Sequence, residues 1–176
     1  MKERTEHYKE KEAVAKKAAS FVKEGDCIFL DGGTSIVPMI KYLKGKKIKV
    51  VTHSLLVANT FEDGELELFI IGGKYIPEYS MSVGPITLSG VEKFNFDYTF
   101  ISCAVIYTAE MDTMAVKEKA MKLSVKKFLL MDSSKLYVKG FYSFIESKDF
   151  DAIICNEDPV IRHEELPDNF ILENFE

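Results

Sequence analysis

The sequence predicts an α/β domain: a mostly parallel sheet with helices on both faces, plus a small hairpin or subdomain elaboration. Three observations carry that prediction. Short continuous apolar runs, CIFL (27–30) and KFLLM (127–131), suit strands buried on both faces. Stripes of apolar residues at helical spacing alternate with these runs. The connections between them are short, and several strand ends carry glycine and hydroxyl residues, as in β-turn-α repeats.

Taken in order, residues 7–23 place Val14, Ala15, Ala18, Phe21 and Val22 on one helical face, and Gly25-Asp26 ends that helix. CIFLD then forms a strand. After DGGTS, a second stripe of Ile36, Val37, Ile40 and Leu43 predicts a helix with Pro38 in its first turn, where a missing N–H costs little. IKVVT (48–52) is a strand, SLLVANTF a short helix capped by Ser54, and LELFIIGG (66–73) a third strand. KYIPEYSMSVGP reads as a hairpin or crossover, and PITLSGVEKF as a helix. DYTFISCAVI (97–106) is a central strand, residues 112–125 a helix, and KFLLMD (127–132) a strand. FYSFIE, DAIICN and NFILENF are further strand candidates. One domain is expected over 1–176, with a helical lead-in at 1–24 and a core at 25–156.

The 176 residues are 47% hydrophobic and 29% charged, enough apolar content for a sizeable core. The charged start MKERTEHYKEKEA lacks the apolar centre of a secretion signal, and no apolar run has membrane-spanning length, so a cytoplasmic protein without membrane contact is expected. A net charge of −5 makes the chain itself a poor nucleic-acid binder. Cys27, Cys103 and Cys155 are odd in number, widely spaced and set in apolar runs, so buried reduced thiols are expected. The scattered His7, His53 and His163 argue against a metal site, and nothing in the chain asks for a cofactor.

Candidate chemistry gathers at strand ends, where ligands collect in parallel α/β sheets. CIFL runs into Asp31-Gly32-Gly33-Thr34-Ser35, and IKVV into Thr52-His53-Ser54. LELFII runs into Gly72-Gly73, and KFLLM into Asp132-Ser133-Ser134-Lys135. Backbone N–H groups freed by small residues, helix N-termini and a lysine together make an anion site. Taken singly, each cluster is equally a local device. Thr34 or Ser35 is a helix cap, Gly72-Gly73 a turn, His53 a polar loop residue, and DSSK a capped turn with an exposed lysine. Lys117 falls near the start of the 112–125 helix, capped by Asp112 or Thr113, where a cation opposes the helix dipole unless an anion is near. A solvated lysine in a mixed run is the competing reading.

In order and spacing, GDCIFLDGGTS, VVTHS, FIIGG, SMSVGP, FDYTFIS, AVKEKAM and MDSSK resemble the C-terminal effector domain of DeoR-type transcriptional repressors, over Glu10 to Asn156. The resemblance implies the fold of ribose-phosphate isomerase, glucosamine-phosphate deaminase and CoA transferases. It implies a non-enzymatic sensor of a phosphorylated sugar or small phosphometabolite, working as a homo-oligomer, a dimer or tetramer. DNA would be reached only through a winged helix-turn-helix domain that this chain lacks at its N-terminus. Carried over by position, the phosphate loop falls on Asp31, Gly32, Gly33, Thr34 and Ser35. Further pocket positions fall on Thr52, His53, Ser54, Gly72, Gly73, Gly84, Lys117, Asp132 and Lys135. Two positions depart from the family pattern. The stretch SCAVIYTAEMDTM replaces a glycine-containing turn after the central strand, and His53 stands where an asparagine is usual.

Two competing functions remain at this point. One is an enzyme of the same fold, with Asp31, Asp132 and Lys135 cast as base and electrophile, or Glu78 or Glu146 as a CoA-transferase carboxylate. The other is an oligomerisation domain whose pocket has decayed.

Overall fold

The computed structural model describes residues 7–62, 64–102, 111–136, 146–159 and 161–174. The chain runs α1 (Tyr8–Ala19), β1 (Cys27–Leu30), α2 (Met39–Leu43), β2 (Lys49–Thr52), α3 (Leu55–Ala58) and β3 (Glu67–Ile70). It continues through β4 (Lys74–Ile76), β5 (Met81–Val83), α4 (Pro85–Val91), β6 (Phe96–Ser102), α5 (Met111–Lys122) and β7 (Ser124–Leu130). It ends with β8 (Ala152–Asn156) and β9 (Phe170–Glu173).

Seven strands form one sheet in the order β3-β2-β1-β6-β7-β8-β9, every neighbouring pair parallel. β4 and β5 make the separate antiparallel hairpin expected from KYIPEYSMSVGP. The order has one reversal. The chain steps outward from β1 to β3, then returns to lay β6 against the other side of β1. That reversal lies at the carboxyl ends of β1 and β6, the place where such sheets hold ligands.

Strand periodicity explains the two layers. Ile28, Leu30, Val50, Phe100, Phe128, Leu130 and Ile154 project to one face and meet Val14, Ala15 and Ala18 of α1 and Ile40 and Leu43 of α2. The alternate residues Phe29 and Val51 project to the other and meet Val91 of α4 and Val116 and Ala120 of α5, and Phe96 at the start of β6 joins that cluster. The helices thus cover both faces. No helix among the described residues is long and apolar enough to cross a membrane.

Several local expectations shift. The helix expected over 112–125 stops at Lys122, and β7 starts at Ser124, earlier than the expected 127. The Leu123 N–H still closes the helix onto Lys119 and Ala120, while its carbonyl already accepts from Phe96 N at 2.9 Å and starts the strand ladder. Thr34 and Ser35 do not cap α2. The Ile36 N–H returns to the Gly33 carbonyl at 2.9 Å, turns fill 34–38, and the regular helix begins after Pro38 with no side-chain cap. Ser54 does cap α3, accepting from Val57 N. Cys27 is only half-buried and Cys155 fully buried, both as free thiols. Cys103, the far end of the 97–106 strand and nearly all of FYSFIE lie outside the described residues.

Phe100 lies at the centre of the sheet, fully buried against the Tyr98 and Phe128 rings. Phe100→Ala should cost about 3–5 kcal/mol, read as a lower urea midpoint with an unchanged slope.

Candidate functional site

β1 delivers Asp31 to the strand reversal, where its carboxylate is fully buried. Oδ2 accepts from Ser102 N at 2.9 Å, at the end of the neighbouring β6, and from the Lys117 ammonium of α5. Oδ1 lies 3.2 Å from His53 Nε2, in the loop after β2. Lys117, itself 5% exposed, also donates to the Ser102 carbonyl at 3.1 Å. One carboxylate therefore joins three strand ends and a helix. The anion that Lys117 faces is the protein's own Asp31, and the lysine sits in the second helical turn. The solvated reading of Lys117 is thereby corrected.

Burial alone would push the Asp31 carboxyl up. The Lys117 charge and the hydrogen bonds from His53 and Lys117 outweigh it and hold the carboxyl well below the usual carboxylate range.

His53 is fully buried rather than a polar loop residue. Its Nδ1 lies 2.7 Å from the Ser82 carbonyl of β5, and its ring stacks on Phe29 at 5.7 Å. Both nitrogens have a polar partner, Ser82 O and Asp31 Oδ1, which fixes the orientation of the ring. The backbone reinforces the contact: Ser82 N donates to His53 O at 2.8 Å and Leu55 N to Ser80 O at 2.8 Å, stitching the hairpin onto the loop after β2.

The remaining candidates fall into two groups. Around the reversal, Thr52 Oγ1 donates to the Leu30 carbonyl at 2.7 Å and accepts from Ser54 N at 3.1 Å, so both hydroxyl residues hold their loop. A β-carbon on Gly33 would overlap the Ser102 side chain, and one on Gly32 would overlap Met81. These glycines therefore have a packing reason independent of any ligand. Thr34 is half-buried beside them, and Ser35 is buried. The Gly72 carbonyl accepts from Thr87 Oγ1 at 2.9 Å, and Gly73 packs against the same threonine. Gly84, at φ 90°, turns the hairpin into α4 in a conformation side chains rarely adopt.

The second group lies past β7. Asp132 is 1% exposed, and its Oδ1 accepts from Ser134 Oγ. Its Oδ2 has no hydrogen-bond partner among the described residues. Ser133 N donates to Asn156 Oδ1 at 2.8 Å, binding this loop to the end of β8. Lys135 is half-exposed at the end of the same turn. Burial, and then the Asp132 charge, pushes the nearby Cys155 thiol up to about 12. Among the described residues no cluster of His, Cys, Asp and Glu suits a metal.

Sequence reasoning did not single out Ser82, Ser102 or Asn156. Ser102 and Asn156 carry a signal, a polar residue closing an otherwise apolar strand. Ser82 acts through its backbone, which leaves no side-chain signature.

Asp31→Asn or Lys117→Met alone leaves one buried charge uncompensated and should each cost about 3–5 kcal/mol, while the double variant recovers part of that loss in urea unfolding. Acid should act through the same pair. The unfolded Asp31 carboxyl titrates near the ordinary ~3.9, above its depressed folded value. Its pairing thus contributes fully above that pH and is lost as pH falls toward the folded value. Denaturation midpoints between pH 2 and 7 should therefore drop more steeply for the wild type than for the double variant.

Comparison with known proteins shows the family. Residues 6–157 match the family described as the DeoR C terminal sensor domain. The chain is 35% identical over 136 residues to a lactose phosphotransferase system repressor of Lactococcus lactis subsp. lactis, covering 72% of this chain and 53% of that protein. It is 30% identical over 138 residues to an HTH-type transcriptional regulator, FruR, of Bacillus subtilis (strain 168), covering 74% of this chain and 55% of the relative. The chain thus spans about half the length of these curated relatives. A ribose 5-phosphate isomerase from Plasmodium falciparum is similar with a TM-score of 0.48 and 16% identity, over 74% of this chain and 54% of that one. With the family match running through every strand from β1 to β8, the chain belongs to the DeoR C-terminal sensor domain family.

Proposed function

We propose that this domain binds a phosphorylated sugar or related phosphometabolite at the strand reversal and passes that occupancy to a DNA-binding unit on the same polypeptide or in its assembly. The observation that carries the reading is the buried Asp31–His53–Lys117 network, in which an ammonium and an imidazole meet a single carboxylate at the carboxyl edge of the sheet. A buried lysine ammonium attracts an anion, and phosphate monoesters supply one. The third Lys117 N–H, the Thr34 hydroxyl, the backbone around Gly72, Gly73 and Gly84, and the Lys135 ammonium are the groups assigned to the phosphate and its surroundings. The relatives support the regulatory half of the reading, because they are named as a repressor and a transcriptional regulator. DNA contact and homo-oligomer formation belong to the same proposal.

An isomerase reading meets a chemical obstacle at Asp31. A general base needs a lone pair directed at substrate, whereas Asp31 is fully buried and already paired with Lys117.

Sugar phosphates should raise the melting temperature of the chain, with stabilisation of about 2.7 kcal/mol at a hundredfold excess over Kd, while the parent sugars should not. Lys135→Ala should weaken the binding roughly tenfold by losing a charge-assisted hydrogen bond, with little change in the melting temperature of the free chain. No response across pentose and hexose phosphates would overturn the proposal. Turnover of ribose 5-phosphate, followed by NMR, would replace it with the enzyme reading.

A further inference from the structure

We infer that the free edge of β3 is where two copies of this chain join, β3 pairing antiparallel with β3 of a second copy across a two-fold axis. The inference rests on the homo-oligomer part of the reading above and gives that assembly its surface. β3 ends the seven-stranded sheet and pairs there only with β2. Glu67 N donates to Ile48 O at 3.0 Å and Ile71 N to Thr52 O at 2.8 Å, so the odd-numbered residues face β2. Leu68 and Ile70 therefore turn their N–H and C=O groups outward, and no described residue pairs with them. Neither proline nor lysine, the residues that commonly blunt a free edge, interrupts the run LELFII (66–71). The opposite edge differs, because in β9 the Phe170 N–H already donates to the Pro167 carbonyl at 3.2 Å. Apolar side chains gather beside the β3 edge: Ile70 is 50%, Tyr75 45% and Ile86 73% exposed. Ile70 precedes the Gly72-Gly73 turn and Tyr75 follows it, while Thr87 Oγ1, donating to the Gly72 carbonyl, holds Ile86 nearby. Exposed apolar side chains next to unpaired backbone mark a protein interface.

The occupant is a second copy because the edge is complementary to itself. With Phe69 on the axis, Leu68 lies opposite the partner's Ile70, and Ile70 opposite the partner's Leu68. All of these residues present outward groups, so each pairing exchanges both hydrogen bonds. In the same register Glu67 faces the partner's Ile71 and Glu65 faces the partner's Gly73, so no glutamate meets a glutamate. Lys74, the residue after that turn, comes level with the partner's Glu65. Both are exposed and in no ion pair among the described residues, and the two-fold brings these opposite charges together on each side of the axis. The hairpin, which begins at Lys74 and reaches His53 through the Ser82 carbonyl, stands beside this junction.

Sedimentation of the intact chain over a range of concentrations tests this, and the wild type should dimerise. Ile70→Pro removes an outward donor but no bond to β2, and should weaken the dimer about tenfold or more. Glu65→Lys and Lys74→Glu should each weaken it about three- to tenfold by setting like charges level with one another, and the double reversal should restore it. Val125→Ser, which removes a side chain 73% exposed near the start of β7, should leave the dimer unchanged. If Ile70→Pro fails to fold, the charge reversals decide, because both lie on exposed side chains. A dimer that keeps its strength in the charge reversals and in a folded Ile70→Pro would overturn this inference alone, by placing the interface elsewhere. A monomeric wild type would overturn it together with the homo-oligomer part of the reading. Stabilisation by sugar phosphates, measured on the same samples, tests the ligand part separately.

Discussion

Asp31 is the constraint on which the site depends. Its carboxylate is fully buried where the strand order reverses, and it collects donors from β6, α5 and the loop after β2. A charge in that position is tolerable only when it is closely paired and hydrogen-bonded. Each partner is thereby fixed by the others. Lys117 is held down by Asp31 and the Ser102 carbonyl, and His53 is oriented by Asp31 on one side and the Ser82 carbonyl on the other. The hairpin, which has no place in the main sheet, is anchored because it supplies that carbonyl.

The glycines after Asp31 serve the same arrangement. Ser102 must approach the loop closely to present its N–H to Asp31, and a side chain at position 33 would occupy its space. Sequence motifs of this kind are commonly assigned to a ligand alone. Here the motif lets two strand ends close on one another.

The two halves of the carboxyl edge differ. Over β1 and β6, Lys117 and His53 meet one carboxylate. Over β7 and β8, Asp132 has no ion pair among the described residues, and burial, then its charge, pushes the neighbouring Cys155 thiol up.

Most elements were legible in the residues. Apolar runs marked every strand of the parallel sheet, and the helical stripes of Val14, Ala15 and Ala18 and of Ile36, Ile40 and Leu43 are buried as their spacing implied. Strand-end clusters containing Asp31, His53, Gly72-Gly73 and Asp132 were legible too, since polar residues that close an apolar run stand out locally. What the residues left open was how those clusters combine. His53 read locally as a polar loop residue and Lys117 as a cation near an unnamed anion, because their partner lies 22 and 86 positions away in the chain. Side-chain period and turn chemistry are set by neighbours a few residues apart. The meeting of Asp31 with Ser102 and Lys117 depends instead on β6 returning beside β1, and strand order is a property of the packed sheet that no local pattern encodes.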